Sequence, residues 1–236
     1  MIQENRKVEW EKSYSRGDNF VFHPHEEVIR FISKYVRKRI GINEFQDMSP
    51  FSQQAKLLDL GCGIGRHVKF CHEMGLDTYG IDLSSTAITT AHAWMVNSGL
   101  VDMDTISSRV IQGDIRQLPW EDGYFTYAIS HGVLDSMSWD IARMSCLELA
   151  RTMVPGGLFY CDLISGDDSN HAREFSGEEI ITTKHEEDTI QLYFNMRLIQ
   201  DLILDIFAIK ECKLIRSEDV LSGKYYSRYH LTLIRT

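Results

Sequence analysis

Short apolar runs alternate with helical patterns between residues 56 and 164, and this alternation limits the possible fold more than any other feature of the sequence. Five runs have the length and composition of buried strands: Lys56–Leu60, Thr78–Asp82, Arg109–Asp114, Phe125–Ser130 and Leu158–Ile164. Between them, apolar residues at helical spacing predict helices at about 64–74, 84–97 and 138–153. Strands that alternate with helices in this way predict a parallel sheet covered by helices on both faces.

The regions before residue 56 and after residue 164 do not show this alternation. Apolar residues at helical spacing predict an amphipathic helix from about 24 to 40, with Pro24 in its first turn. A polar connector is expected from 43 to 54, and a loop or small hairpin from 166 to 188. Asn195 is expected to cap one more helix, and strands are expected near 207–216 and 226–235.

Charge and composition exclude several classes of protein. The 236 residues carry a formal net charge of -9, which disfavours non-specific binding to nucleic acid. No apolar run approaches the roughly 18 residues of a membrane span, and the polar start MIQENRKVEW predicts no secretory signal. The five cysteines are odd in number and lack CxxC spacing, so we expect reduced thiols, no metal site and a cytoplasmic protein.

The glycine-rich segment Asp59–Gly65, with the sequence DLGCGIG, lies between the first predicted strand and the first predicted helix. Glycines at such a turn allow a positive φ and a close approach of a ligand to the backbone. The third glycine comes one residue too early for the dinucleotide fingerprint GxGxxG, and no Lys-Ser/Thr pair follows as in a phosphate-binding loop. The segment alone therefore indicates only a ligand close to the backbone.

Acidic residues at the ends of the next two strands indicate which chemical class of ligand binds. Asp82 ends the second strand, where a carboxylate can accept hydrogen bonds from both hydroxyls of a ribose. Asp114 ends the third strand, where a carboxylate can accept a hydrogen bond from the exocyclic amine of an adenine. Because ligands of such sheets bind at the carboxyl ends of the strands, these residues predict an adenosine-containing ligand.

Four segments in order resemble the class I S-adenosylmethionine-dependent methyltransferases: KLLDLGCGIGRHVKF, YGIDLSSTAI, GDIRQLPWEDGYFTYAIS and MVPGGLFY. The GCGxGRH variant is most similar to small-molecule members, and YSRYHL resembles their closing strand. The resemblance implies an α/β fold with a Rossmann-like, mostly parallel seven-stranded sheet, helices on both faces and an antiparallel last strand. It also implies a methyltransferase domain over 51–236, with an acceptor-side insertion at 166–190, preceded by an N-terminal helical lid or cap at 1–50.

The resemblance further implies a role for individual residues. Those expected to contact S-adenosylmethionine, or its product S-adenosylhomocysteine, are Asp59, Gly61, Cys62, Gly63, Gly65, Asp82, Leu83, Asp114, Ile115, Ser130 and His131. Asp59 would lie near the amino group, Asp82 would hold the ribose, and Ser130 and His131 would lie near the methionine part. Aromatic residues near the N-terminus could form a lid over the cofactor or pack as core: Trp10, Tyr14, Phe20 and Phe22.

Transfer from an activated sulfonium methyl needs alignment of the acceptor, and it needs a base only when the acceptor is protonated. His131 is the first candidate base and Asp135 the second, followed by His23 and His230. Two alternatives stay open: His131 could be packed under the cofactor, and Asp135 could cap the next helix. His67 is expected only to pack on the first helix.

The expected activity is transfer of a methyl group to an oxygen or nitrogen of a small molecule, such as a sugar, an amino sugar or another metabolite. Two other functions remain open: a module that binds S-adenosylmethionine without transfer, and a methyltransferase for protein or RNA. The place where nucleic-acid amino-methyltransferases carry an Asn/Asp-Pro-Pro-aromatic motif reads SHGV here, which disfavours that chemistry. The sequence predicts neither the acceptor nor the oligomeric state.

Overall fold

The computed structural model of the protein describes residues 7–49, 51, 55–171, 173–182 and 189–236. Predictions for 1–6, 50, 52–54 and 183–188 lie outside these described residues. The helices are α1 (Lys7–Arg16), α2 (Glu26–Phe31, continued by a π-helical turn at Ile32–Val36), α3 (Arg66–Glu73), α4 (Ser85–Asn97), α5 (Met103–Arg109), α6 (Trp139–Thr152) and α7 (Met196–Ile203). The strands are β1 (Arg37–Arg39), β2 (Phe45–Asp47), β3 (Lys56–Leu60), β4 (Asp77–Asp82), β5 (Val110–Gln112), β6 (Phe125–Ser130), β7 (Met153–Ile164), β8 (Gly177–Ile180), β9 (Ile190–Tyr193), β10 (Phe207–Glu218) and β11 (Tyr225–Arg235).

Seven of these strands form the central sheet, in the order β10-β11-β7-β6-β3-β4-β5. The neighbours from β7 to β5 pair in parallel, whereas β11 pairs antiparallel with both β7 and β10. The predicted seven-stranded, mostly parallel sheet with an antiparallel last strand is therefore confirmed. This order places β3 beside β4 and β6, so the loops that follow these three strands open at one edge of the sheet.

Helices cover both faces of the sheet and form an apolar core on each face. The side chains of β3 point alternately into these two cores. Leu58 and Leu60 pack with α6 and α7, whereas Leu57 packs with α2 and α3. Three cysteines are fully buried in these cores and every cysteine thiol is free, so they pack as small apolar residues. Among the described residues, no helix is long and apolar enough to cross a membrane.

The N-terminal segment differs from the prediction in its detail. The predicted helix over 24–40 ends at Val36, and Arg37–Arg39 pair instead with Phe45–Asp47 as a short hairpin. The Arg37 guanidinium donates to Asp47 Oδ1 at 2.6 Å and to Gly75 O at 2.8 Å, while Ile40 is 56% exposed. The helix also begins after Pro24, because the N-cap is His25, whose Nδ1 accepts from Glu27 N.

The structure tests three other predictions from the sequence. Asn195 caps α7 by accepting from Leu198 N, as predicted, and Ser84 caps α4 by accepting from Ala87 N. Arg109 ends the unpredicted helix α5, so the third strand begins only at Val110. In the acidic segment after Gly166, β8 and β9 pair antiparallel, so the hairpin alternative is the one that forms.

Candidate active site

The glycine loop after β3 turns back over the neighbouring strand β4. Gly61 N and Cys62 N both donate to Ile81 O, at 2.9 and 3.0 Å, and Gly65 N donates to Cys62 O. Gly61, Gly63 and Gly65 have φ values of 74°, 54° and 82°, a region in which side chains other than glycine are strained. Gly65 is the N-cap of α3, so the loop leads directly into the helix.

At two positions of this loop, neighbouring side chains leave no room for a Cβ atom. A Cβ on Gly61 would lie 2.5 Å from a methyl group of Val133, and one on Gly63 would lie 2.6 Å from the hydroxyl of Tyr14. Tyr14 comes from α1, so the N-terminal helix lies directly on the glycine loop. Whether Tyr14 acts as a lid over a cofactor stays a prediction.

Asp82, at the end of β4, is fixed by the backbone of two loops. Its Oδ2 accepts from Gly63 N at 2.8 Å, and its Oδ1 accepts from Ser84 N at 2.9 Å. Burial raises the pKa of this carboxyl, against the lowering effect of these hydrogen bonds. Each oxygen keeps a further lone pair, so the carboxylate can still accept from a ligand.

A cavity of about 310 Å³ lies where these loops meet, at the lower end of the range typical of small-molecule sites. Its described lining includes most of the residues predicted to contact the cofactor: Tyr14, Gly61, Cys62, Gly63, Asp82, Leu83, Asp114, Ile115 and His131. The structure thus brings the ends of β3, β4, β5 and β6 to one cavity.

Other predicted residues lie near the cavity without lining it. Ser130 Oγ donates to Leu60 O at 3.2 Å and so joins β6 to β3. Phe20 packs edge-on against Phe22, and Gly65 faces Ala91 of α4. Asp114 does line the cavity, but its carboxylate also accepts from the Arg116 guanidinium at 2.6 Å.

Asp59 carries a buried carboxylate oxygen without a hydrogen-bond partner among the described residues. The residue is 1% exposed, and its Oδ2 has no donor within bonding distance. The nearest imidazole nitrogen is His67 Nδ1, at 3.8 Å. Burial raises the pKa of Asp59 to about 8. Because buried polar atoms are normally paired, this oxygen is suited to a cationic ligand group.

Arg66, which the sequence reasoning missed, supplies a positive charge on the cavity wall, whereas Asp59 lies buried behind the described lining. It lines the cavity, and its Nη2 lies 3.1 Å from His131 Nδ1. Burial lowers the pKa of Arg66, whereas Asp59 raises it. Its place directly after the last glycine was a usable signal, because this position begins α3 at the edge of the loop.

Four histidines from distant parts of the chain converge behind this wall. The ring of His131 lies 4.1 Å from that of His25 and 5.5 Å from that of His67, and His230 stacks on His25 at 5.9 Å. Burial lowers the pKa of all four, that of His131 to about 4. His67 does more than pack on α3, since it lines the cavity and its Nε2 accepts from His25 N.

The contacts of His131 determine which nitrogen carries its proton. Because Arg66 can only donate, His131 Nδ1 accepts and the proton of the neutral ring lies on Nε2. Nε2 faces Asp162 Oδ2 at 3.6 Å, which is too long for a hydrogen bond. In this arrangement the ring has no free lone pair for a base.

Asp135 is part of a buried ion cluster and does not line the cavity. Its Oδ2 accepts from Arg228 Nη2 at 2.5 Å and from Ile164 N at 2.7 Å. The same guanidinium donates from Nε to Asp162 Oδ2 at 2.7 Å, and Asp162 Oδ1 accepts from Gly132 N. The expectation that Asp135 caps the next helix is wrong, because α6 begins at Trp139 with Ser138 as its N-cap.

Comparison with known proteins gives a family match for part of the chain. Residues 58–161 match the family described as a methyltransferase domain. An uncharacterized protein of Haemophilus influenzae is 27% identical over 109 residues, which cover 46% of this chain and 42% of that protein. The chain therefore matches less than half the length of this relative.

Solved structures share the fold over most of the chain. An S-adenosylmethionine-dependent methyltransferase of Methanosarcina mazei is 19% identical and covers 80% of this chain and 99% of its own, with a TM-score of 0.62. The 1,6-didemethyltoxoflavin-N1-methyltransferase of Burkholderia thailandensis, solved with S-adenosylhomocysteine, is 14% identical and covers 98% and 87%, with a TM-score of 0.64. The [4+2]-cyclase SpnF is 16% identical and covers 98% and 93%, with a TM-score of 0.65.

At these identities the structural similarity confirms the predicted fold, and the cyclase illustrates that this fold carries more than one activity. The family match assigns a methyltransferase domain to residues 58–161 only, and the solved structures share the fold that surrounds it.

Proposed function

We propose that this protein transfers the methyl group of S-adenosylmethionine to an oxygen or nitrogen atom of a small molecule. One observation carries the proposal: the glycine loop, Asp82 and the unpartnered Asp59 Oδ2 all converge at the carboxyl ends of β3 and β4. A ribose and a cationic amino group, held by one ligand, match these two carboxylates.

The residues on the wall suit the separate parts of the cofactor. Asp82 would hold the ribose, while Leu83 and Ile115 would pack against the adenine with Asp114 at its edge. Asp59 Oδ2 would accept from the amino group of the methionine part, and Arg66 would bind its carboxylate. Opposite charges at the end of β3 and the start of α3 are suited to a zwitterion, because each charge of the ligand then has its own partner.

When bound, S-adenosylmethionine supplies a sulfonium methyl group that needs no further activation. The main task of the protein is therefore to hold the acceptor in line, which in favourable cases lowers a barrier by roughly 7–11 kcal/mol. For an acceptor that must lose a proton, we propose His131 Nδ1 as the base. That lone pair becomes free when Arg66 turns from His131 to a ligand carboxylate, and Asp162 would stabilise the imidazolium.

Binding of S-adenosylhomocysteine by titration calorimetry is the first test. The wild-type protein should bind it, and Asp82→Ala should weaken binding at least tenfold because the ribose hydroxyls lose their acceptor. Asp201→Ala, at an exposed acid of α7, is the matched control and should leave the affinity unchanged. A wild-type protein that binds neither the donor nor its product would overturn the proposal.

Transfer itself needs a separate measurement. The protein is incubated with donor labelled in its methyl group and with separate pools of metabolites, protein and RNA, and labelled products are identified by mass spectrometry. Label in a small molecule is the expected result. Cofactor binding without label in any pool would instead indicate a binding module, and label in protein or RNA would indicate a macromolecular acceptor.

A further inference from the structure

The cavity has a second set of lining residues, which come from outside the loops that would hold the cofactor. They come from α1 and the segment after it, from α6 and the residues just before it, and from β9. Five of them are apolar: Trp10, Val21, Met137, Ile141 and Ile190. We call these five residues the apolar wall. Tyr14, Asn19 and Ser136 line the cavity from the same segments. Among the described lining residues, the charged side chains Arg66, Asp82 and Asp114 lie instead at or after the ends of β3, β4 and β5.

Ser138 adds one polar atom beside the apolar wall. It lines the cavity and is 2% exposed, and its Oγ has no hydrogen-bond partner among the described residues. A serine at the N-cap of a helix normally accepts from a backbone N–H of the first turn, but Ser138 makes no such bond. Instead, Glu178 Oε1 of β8 accepts from Trp139 N at 2.7 Å. The hydroxyl of Ser138 is thus available to a ligand.

Hydrogen bonds fix the hairpin that contributes Ile190. Gln191 Nε2 and Leu192 N both donate to Asp135 O, each at 2.7 Å, and Asp135 is anchored in turn by Arg228. Ile190 is 3% exposed and Ile141 is 7% exposed, so the two side chains are held against buried surroundings. These two residues of the apolar wall are therefore part of the packed structure, whereas Val21 is 47% exposed at its rim.

We infer that the apolar wall and Ser138 form the acceptor subsite, and that it takes a neutral, mainly apolar small molecule such as a hydroxylated or aminated aromatic compound. This inference rests on the proposed function. A charged acceptor would lose its hydration without meeting an opposite charge on this wall. A sugar would bury several hydroxyls beside few polar groups, since Asn19 Nδ2 already donates to Ser13 Oγ and Ser136 Oγ to Gly132 O, which leaves Ser138 as the hydroxyl without a partner among the described residues. An aromatic face, in contrast, gains from contact with Trp10, Met137 and Ile190.

The test uses the full chain saturated with S-adenosylhomocysteine and a panel of small probes. The panel pairs neutral phenols and anilines, including 2-naphthol, with counterparts that carry a carboxylate, such as 6-hydroxy-2-naphthoate, and adds glucose and glucosamine. Ligand-observed NMR and calorimetry should give at least tenfold tighter binding for the neutral aromatic probes. Equal binding of the charged counterparts, preferred binding of sugars, or no binding of any neutral aromatic probe would overturn the inference.

Two substitutions on the same hairpin localise the subsite. Ile190→Glu should weaken binding of 2-naphthol at least tenfold and leave the affinity for S-adenosylhomocysteine within twofold. Its cross-strand partner Ile180 is 55% exposed, so Ile180→Glu is the matched control and should change neither affinity. If both variants bind 2-naphthol like the wild type, the apolar wall is not the subsite.

Ser138→Ala keeps the inference testable if Ile190→Glu fails to fold, since the hydroxyl makes no bond to the described part of the chain. It should weaken 2-naphthol about fivefold and leave the cofactor affinity unchanged. Weaker binding of S-adenosylhomocysteine by this variant would assign the hydroxyl to the cofactor and overturn the inference. A wild-type protein that does not bind S-adenosylhomocysteine rejects the proposed function itself, whereas normal cofactor binding without preference for neutral probes rejects only the subsite.

Discussion

The two sides of the cavity are built in different ways. The side formed by the glycine loop and Asp82 comes from two short segments that follow neighbouring strands, β3 and β4, and is held by hydrogen bonds between them. The apolar wall instead brings together side chains from α1, α6 and the β8–β9 hairpin, which are far apart in the chain. The first side can therefore be identified from local motifs, whereas the second exists only after the chain has folded.

The largest expected effect concerns the glycine loop. Gly61→Ala would combine a strained positive φ with a Cβ 2.5 Å from Val133, and should cost about 3–5 kcal/mol of unfolding free energy. Gly99→Ala is the control, because Gly99 has a similar φ of 69° and no atom within 4 Å of the added Cβ. Urea unfolding should give only about 1 kcal/mol for the control. Equal losses in the two variants would contradict the close packing at Gly61.

Arg228 joins the two sides, since it pairs with Asp162 next to Gly132 and with Asp135 beneath the hairpin. Arg228→Met leaves two buried carboxylates without their cation and should lower the unfolding free energy by about 3–5 kcal/mol in urea titrations. Arg30→Met is the control, because Arg30 pairs with Glu26 on the surface and should show no measurable change. A loss at Arg228 no larger than that at Arg30 would mean that the cluster does not hold the two sides together.

The raised pKa of Asp59 predicts that pH changes both the stability of the protein and its affinity for the cofactor. Its folded pKa of about 8 lies above the ordinary 3.8, so the folded state prefers the neutral form and stability falls as pH rises from about 4 to about 8. Asp59→Asn should therefore stabilise the free protein at pH 8, by an amount on the order of a few kcal/mol, while weakening cofactor binding. Asp201→Asn is the control.

Calorimetry in buffers of different ionisation heat checks the same residue directly. When an amino group binds the ionised carboxylate, the wild type should release a proton at pH 7, and its affinity for S-adenosylhomocysteine should rise between pH 6 and pH 8. The Asn variant should lose the part of this proton release that Asp59 provides. An unchanged proton count in the variant would show that Asp59 does not face the amino group.

The smallest effect concerns the hairpin of the acceptor side. His171 bonds to Asp168 and Glu179, and although burial lowers its pKa, these hydrogen bonds outweigh burial and raise it above 6.5. A raised histidine pKa stabilises the hairpin fully below pH 6.5, and this contribution is lost as pH rises through the folded pKa. Amide exchange in β8 and β9, corrected for the intrinsic pH dependence, should lose protection as pH rises above 6.5, and His171→Gln should remove that change. Protection that is independent of pH in the wild type would contradict this role.

The sequence predicted the central fold well because its signals are local. The glycines between β3 and α3 and the acids at the strand ends follow from backbone requirements that few other residues satisfy. The N-terminal helix was predicted four residues too long, since the contacts of Arg37 with Asp47 and Gly75 are not visible in a helical pattern. The prediction that Asp135 could cap a helix was also wrong. Its carboxylate pairs instead with Arg228, which lies 93 residues away in the chain and so leaves no signal near Asp135.

The sequence by itself determined the five central strands, the glycine loop and Asp82, because each depends on the conformation of adjacent residues. Only the tertiary structure decided that Asp59 keeps an unpartnered oxygen, that Arg66 occupies His131 Nδ1, and that Ser138 leaves its hydroxyl unused. These properties depend on which donors, acceptors and apolar side chains meet when distant segments pack together. Burial then fixes their protonation and their availability to a ligand, which no local pattern encodes.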